Sequence, residues 1–218
     1  MSRLLEWAGK LAFTAVCVAL AALSGGGASF VQRPVGAAYL IIFTPWFVTT
    51  ALGRTTGVRS RHDRGQLPVV AALGVLSYPG ILVFEPWEYA TFSGPIPRDG
   101  PLAWAGLAVF AVGVALNAWA MWALRGMFTA RLGVQPGQRL VTHGPYRHVR
   151  HPAYLSHIVS LTGVALALSS VIGLALTAAI VPVLLWRIRG EEAMLLAEFG
   201  DAYREYTRRT KRLIPGVY

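Results

Sequence analysis

Cysteine and lysine are nearly absent from this chain of 218 residues: Cys17 is the single cysteine, and Lys10 and Lys211 are the only lysines. One cysteine excludes an intramolecular disulfide framework and a cysteine-based metal site, and it leaves the redox compartment unmarked. Charge is also scarce, at 14% of residues, with ten acidic side chains against twenty basic ones. With 55% of residues hydrophobic, the composition lies outside the range of ordinary soluble domains and makes a membrane the solvent. The formal charge of +10 does not point to nucleic acid, because the basic residues are spread over loops rather than gathered into a compact module. There is no internal repeat, no low-complexity segment and no Gly-x-Gly-x-x-Gly turn of the dinucleotide-binding kind.

Long apolar stretches are what the sequence does have. They run from about Leu4 to Leu23, Val35 to Leu52, Leu67 to Phe84 and Leu102 to Leu124, each long enough to cross or nearly cross a hydrocarbon core of roughly 30 Å. Two shorter ones, Pro152 to Leu168 and Val171 to Trp186, are joined by Ser169-Ser170 and predict a tight helical hairpin. The expected fold is all-α: a polytopic membrane bundle of about six transmembrane helices, with a C-terminal hairpin and an amphipathic tail helix. The first apolar run reads as a retained helix rather than a cleaved signal. Residues 1–124 then form an N-terminal set of about four spans, and residues 125–218 hold the loop, the hairpin and the tail.

Six spans return both termini to one side. Arg3, Lys10, the loop with Arg54, Arg59, Arg61 and Arg64, the segment from Arg125 to Arg150 and the tail after Trp186 fall together, whereas the opposite loops carry only Arg33 and Arg98. The positive-inside rule makes the basic side cytoplasmic. The preference for arginine over lysine, with abundant alanine and glycine, suits a GC-rich bacterial genome, so a bacterial cytoplasmic membrane is the expected location. In the tail, Leu195, Phe199, Tyr203 and Tyr206 recur at helical spacing, which predicts a helix along the membrane surface. Gly200 is a candidate interruption. The basic cluster of Arg208, Arg209, Lys211 and Arg212 suits anionic headgroups, so membrane lipids are expected partners.

The longest cytoplasmic loop ends in Val141-Thr-His-Gly-Pro-Tyr-Arg-His-Val-Arg-His-Pro-Ala-Tyr154, unlike anything else in the chain. Gly144-Pro145 marks a turn. Pro152 suits the first turn of a helix, where its missing N–H costs nothing and neighbouring amides stay free for an anionic group. His143, His148 and His151 lack cysteines or acids at familiar ligand spacing, so no metal is expected. At the far end of the hairpin, Trp186-Arg187-Ile-Arg189-Gly-Glu191-Glu192 reaches the same mouth. If the sixth helix continues, Arg187 and Glu191 lie one turn apart on one face. Taken singly, Arg147, Arg150, Arg187 and Arg189 also suit plain topology signals, and Trp87, Glu88 and Tyr89 suit the outer interface. Asn117 reads as glue between helices and His157 as a packing residue in the fifth span.

As an ordered set, Gly-Pro-Tyr146, Arg150-His-Pro-x-Tyr154, a hairpin, Arg187-x-x-x-Glu191 and Phe199-Gly-x-x-Tyr203-x-x-Tyr206 resembles the isoprenylcysteine carboxyl methyltransferase family and the related membrane phospholipid methyltransferases. The resemblance covers about Arg131 to Arg212. It implies a membrane enzyme that uses S-adenosyl-L-methionine in a cytoplasm-facing pocket at the last helices. Carried across position by position, it implies that Gln138, Arg139, Leu140, Val141, Tyr146, His151, Pro152, Ala153, Tyr154 and Glu191 contact the cofactor. Arg187 takes the substrate side, and Arg187 and Glu191 are the expected catalytic pair. Gln138 stands where the family often has histidine, and Ser156-His157 where glycine commonly follows, so the departures bear on substrate identity. The expected acceptor is lipophilic and reached from the bilayer: a carboxylate of the isoprenylcysteine kind, a phospholipid, an isoprenoid or a small thiol.

Methyl transfer from a sulfonium needs alignment and exclusion of water, with no covalent enzyme intermediate. A carboxylate acceptor needs no base and is suited to a bidentate arginine. An amine or thiol must first lose a proton. Two other readings compete: a membrane reductase of the sterol-reductase type, which would bind NADPH, and a non-catalytic scaffold or transporter, which would bind neither cofactor.

Overall fold

The computed structural model describes residues 2–52, 77, 80–92, 95–124, 139–214 and 216, and every regular element among them is helical. The α-helices are α1 (Ser2–Ser24), α2 (Ala28–Gln32), α3 (Pro34–Leu52), α4 (Glu85–Thr91), α5 (Pro101–Leu124), α6 (Pro152–Ala167) and α7 (Val171–Arg209). A π-helix, Gly80–Phe84, leads into α4, and a 3-10 turn, Gly144–Arg147, precedes α6. Most of the expected third span, the loop with Arg54 to Arg64, and Gln138 lie outside the described residues.

Helices α5 and α7 are long and apolar enough to cross a membrane, and α1, α3 and α6 carry the shorter apolar stretches Leu11–Ser24, Pro34–Phe47 and Pro152–Ala167. At 1.5 Å per residue α5 is about 36 Å long, enough for a hydrocarbon core of about 30 Å. It opens on Pro101, where the ring costs no hydrogen bond, and Gly100 accepts from the amides of Ala103 and Trp104. The helix that holds Trp186 continues into the tail: α7 runs from Val171 past Trp186 to Gly200, whose backbone turns to φ 51°, ψ −123°, and a second helical stretch follows this kink to Arg209. Nothing in the segment Arg187 to Phe199 breaks a helix, since Gly190 stays within the hydrogen-bonded run and no proline intervenes.

The chain forms two compact units. The first comprises Met1–Gly53, Val75–Val114 and Val159–Ala178. Its centre is aromatic: Tyr39 stacks on Phe43 at 5.4 Å and on Phe110 at 6.1 Å, and the Phe30 ring meets Tyr89 edge-on at 5.5 Å. Such pairs add directional attraction to burial. The π-helix loosens the backbone ladder, and side chains satisfy two of its carbonyls, Tyr39 Oη donating to Ile81 O at 2.8 Å and Ser24 Oγ to Leu82 O at 3.2 Å. Glycines let α5 and α6 touch backbone to backbone, because a Cβ on Gly163 would lie 2.3 Å from Phe110 N and one on Gly106 2.3 Å from Ala167 N. Close approach of this kind replaces the hydrophobic drive that helices lack inside lipid. Leu11, Phe13, Val16, Ile41, Trp104 and Val112 point outward, as lipid-facing side chains do. Of the expected outer-interface group, Glu88 and Tyr89 are buried within the protein and Trp87 is well exposed.

The second unit comprises Arg54–Gly74, Ala115–Ile158 and Ala179–Tyr218. Within it Ala120, Ala123 and Tyr146 form a small core against Met121, Leu124, Val141 and Ala153, and Asn117 Nδ2 donates to Ser156 Oγ at 3.2 Å. This unit holds the candidate site.

Candidate functional site

The loop that leads into α6 is shaped by its own sequence first. Gly144 takes φ 62° over Trp119 and Ala123, and Pro145 then starts the 3-10 turn, with Tyr146 N bonded to His143 O at 3.2 Å and Val149 N to Pro145 O at 3.3 Å. Arg139 and Leu140, ahead of the turn, are exposed and half-buried, and Val141 packs beside Tyr146. After the turn the backbone pairs with the chain's far end. Val149 and Lys211 form a parallel bridge, Arg150 N donates to Lys211 O at 2.8 Å, and His151 N donates to Arg212 O at 3.1 Å. Pro152 then opens α6, and Ala153 and Tyr154 occupy its first turn.

From α7, Arg187 is only 5% exposed, and its Nε donates to Tyr154 Oη at 2.8 Å. One helical turn on, Glu191 faces the same hydroxyl, with Oε2 at 4.0 Å from His151 Nδ1 and its side chain still 28% exposed. Tyr146, His151, Pro152, Ala153, Tyr154, Arg187 and Glu191 therefore belong to one compact unit. The continuity of α7 is what brings Arg187 and Glu191 onto one face.

The neighbouring acid does different work. Glu192, 12% exposed, receives Arg150 Nε at 2.8 Å, Arg212 Nε at 2.7 Å and His151 Nε2 at 3.4 Å. Burial alone raises its pKa, but the bonds from His151, Arg150 and Arg212 outweigh burial and hold the carboxyl down at about 2. Arg150 also donates to the carbonyls of Thr207 at 3.4 Å and of Thr210. Tyr206 Oη donates to Tyr146 O at 2.7 Å, and burial lifts the Tyr206 hydroxyl to about 12, against the opposing pull of Arg150 and Thr210. Glu192, Arg150, Arg212, Thr210 and Tyr206 thus lock the loop to the tail, a role that sequence reasoning missed. The doubled acid at Glu191-Glu192 with arginines on both flanks was the available signal; the bridge of Val149 to Lys211 leaves none.

Among the described residues no group of three or more histidine, cysteine or acidic side chains is placed to hold a metal ion. The three loop histidines stand in different surroundings: His143 is exposed, His148 accepts from Arg147 Nε at 2.8 Å, and His151 is buried between the two glutamates.

Residues 104–197 match the sequence model of the isoprenylcysteine carboxyl methyltransferase (ICMT) family, a stretch that takes in the loop, Tyr154, Arg187 and Glu191. Over that stretch, a little under half of its length, the chain is similar to that family. Among curated relatives, it is 35% identical over 81 residues to the protein-S-isoprenylcysteine O-methyltransferase of Schizosaccharomyces pombe, covering 35% of this chain and 33% of that protein. It is 30% identical over 150 residues to methanethiol S-methyltransferase 2 of Bradyrhizobium diazoefficiens, covering 63% and 56% respectively. The chain thus spans a third to just over half of the length of these relatives. In fold it is similar to the solved structure of a eukaryotic intramembrane Ras methyltransferase, ICMT, with a TM-score of 0.62 and 21% identity over 95% of this chain and 75% of that one. An ICMT-like helical membrane fold is the architecture these findings establish. The family match ends before Tyr203, Tyr206 and Arg212, so the tail strap lies beyond the matched stretch.

Proposed function

We propose that this chain is a member of the ICMT family and an integral membrane methyltransferase that moves the methyl group of S-adenosylmethionine onto a lipophilic acceptor. The observation that carries the proposal is the meeting of Arg187 and Glu191, one turn apart on α7, at the hydroxyl of Tyr154. The donor set fits the cofactor: Glu191 remains 28% exposed and is bound far less tightly than Glu192, so its carboxylate keeps acceptor capacity for a ligand's N–H and O–H groups. Tyr146, the segment His151 to Tyr154 and Glu191 would hold the cofactor, with Gln138 to Val141 alongside. Bound there, S-adenosylmethionine would supply an electrophilic methyl group on a sulfonium, open to in-line displacement.

The remaining work belongs to the chain's own residues. Arg187, steadied at Nε by Tyr154, orients the acceptor, and a buried guanidinium suits a carboxylate. A carboxylate needs no proton removed, and a poorly hydrated pocket favours the neutralisation of opposite charges as it attacks. Both termini, and the site, are read as cytoplasmic from the arginine distribution. A small thiol is the second reading for the acceptor, favoured by the methanethiol S-methyltransferase, whose similarity runs over more of this chain than that of the yeast relative. A thiol must be deprotonated first, and Glu191 is the group to accept that proton.

The test is calorimetric titration of S-adenosylhomocysteine and, separately, NADPH into detergent-purified protein, with Tyr154→Ala and Glu191→Ala alongside. The expected result is saturable binding of S-adenosylhomocysteine alone, weakened by both substitutions. No such binding to folded protein overturns the methyltransferase reading, and binding of NADPH in its place promotes a reductase. Methyl transfer from labelled S-adenosylmethionine to a farnesylated cysteine or to methanethiol then separates the two acceptors.

A further inference from the structure

A second buried acid belongs to the first unit. Glu85, the first residue of α4, is 2% exposed, and its Oε2 has no hydrogen-bond partner among the described residues. The side chain fills a slot between two glycines: a Cβ on Gly173 would lie 2.6 Å from Glu85 Cδ, and one on Gly80 3.6 Å from its Oε1. Three residues along the same helix, Glu88 has every partner that Glu85 lacks. It accepts from Ser170 Oγ at 2.5 Å and from the amides of Val171 and Ile172 at 3.1 Å each. Those amides open α7, so Glu88 caps the start of that helix through three donors.

Among the described residues, the surroundings of Glu85 offer no compensating charge. From α3 comes Tyr39, whose hydroxyl proton goes to Ile81 O. From its own helix comes Glu88, of the same sign, and from α6 and α7 come the uncharged Ala165 and Gly173. Arg33 pairs with Asp99 at 3.7 Å and lies over the Tyr89 ring at 5.4 Å. A buried carboxylate with one oxygen unpartnered and no cation beside it among the described residues, one turn from a second carboxylate, costs several kcal/mol or takes up a proton instead.

We propose that Glu85 is a proton-binding site: its carboxyl stays protonated at neutral pH, and that proton is the condition for the tight packing of α4 against the first turn of α7. Burial first, and the charge of Glu88 second, raise the carboxyl from 4.5 to about 8. Because the folded value lies above the unfolded one, the stability tied to this proton is fully present below about 4.5 and is lost as pH rises through about 8. The proposal stands whether or not the chain transfers methyl groups.

The experiment is infrared difference spectroscopy of the full-length protein in detergent, wild type against Glu85→Gln, with thermal midpoints taken across the same pH series. The expected result is a protonated-carboxyl C=O band in the wild type at neutral pH, missing from the variant and fading as pH passes about 8. The wild-type midpoint should fall between about 4.5 and about 8 relative to that of the variant; only this slope is compared, because the buried amide of Gln shifts the absolute midpoint. Identical band intensity and parallel midpoint curves for the two proteins overturn the proposal. Should Glu85→Gln not accumulate, the wild-type titration decides alone: no protonated-carboxyl band at neutral pH overturns the assignment.

Discussion

Replacing Glu192 with glutamine removes one negative charge, keeps the shape of the side chain, and leaves Arg150, Arg212 and His151 facing a neutral amide. The carboxyl is held at about 2 against an ordinary 4.5, a difference of about 2.5 units, and each unit corresponds to about 1.4 kcal/mol. The carboxylate is therefore worth about 3 kcal/mol at neutral pH, consistent with the cost of breaking a buried ion pair by removing one partner. Little discount for solvent is needed at Glu192 and Arg150, whose side chains are 12% and 10% exposed, although Arg212 at 33% contributes less. Because the folded value is depressed, this stabilisation is present above about 4.5 and lost as pH falls through about 2. Thermal unfolding of Glu192→Gln in detergent should show a midpoint lower by on the order of 5 °C or more at neutral pH. The gap should shrink by more than half by pH of about 3. Equal midpoints at neutral pH, or a gap unchanged in acid, would refute the assignment of Glu192 as the anchor between loop and tail. Glu191→Gln is the internal contrast and should leave the midpoint nearly unchanged while weakening S-adenosylhomocysteine binding.

Tyr154→Phe removes the hydroxyl that receives Arg187 Nε; a hydrogen bond to a charged group is worth about 1.5–3 kcal/mol, so turnover measured with labelled S-adenosylmethionine should fall roughly 10-fold or more, and unchanged turnover would detach Arg187 from its proposed role. Gly163→Ala puts a methyl group 2.3 Å from the backbone of Phe110 and should lower the thermal midpoint by the equivalent of about 2 kcal/mol, whereas a neutral effect would mean that α5 and α6 do not meet there. Tyr203 Oη is buried without a partner among the described residues, so Tyr203→Phe should be neutral or slightly stabilising in the same assay, and a loss above about 1 kcal/mol would reveal a partner for that hydroxyl.

Local chemistry was legible in advance wherever it repeated with a period or sat on a backbone exception. Pro152 starts its helix and Gly200 breaks one, as proline at a first turn and glycine at a positive φ do. The position of Arg187 one turn from Glu191 followed from helical geometry alone, given that no residue between them stops a helix. The family motif pointed to the loop, to Tyr154 and to the Arg-x-x-x-Glu pair, because those residues are contiguous or regularly spaced. The job of Glu192 was not legible: two adjacent glutamates look alike in a sequence, and a helix turns each by 100° to a different neighbourhood.

By itself, the sequence determined the helical membrane class, most helix boundaries and the family resemblance, since apolar length, proline and glycine act through the local backbone and need no distant partner. Tertiary structure alone decided which charges are paired. Glu88 reads as an interfacial residue until the start of α7 brings it Ser170, Val171 and Ile172, and only burial in the fold leaves Glu85 Oε2 without a partner among the described residues. Arg150 and Arg212 read as topology signals until Glu192 stands between them. The physical reason is common to all three cases: a charge in low dielectric is governed by what lies within a few ångströms of it, and that neighbourhood is assembled from segments tens of residues apart.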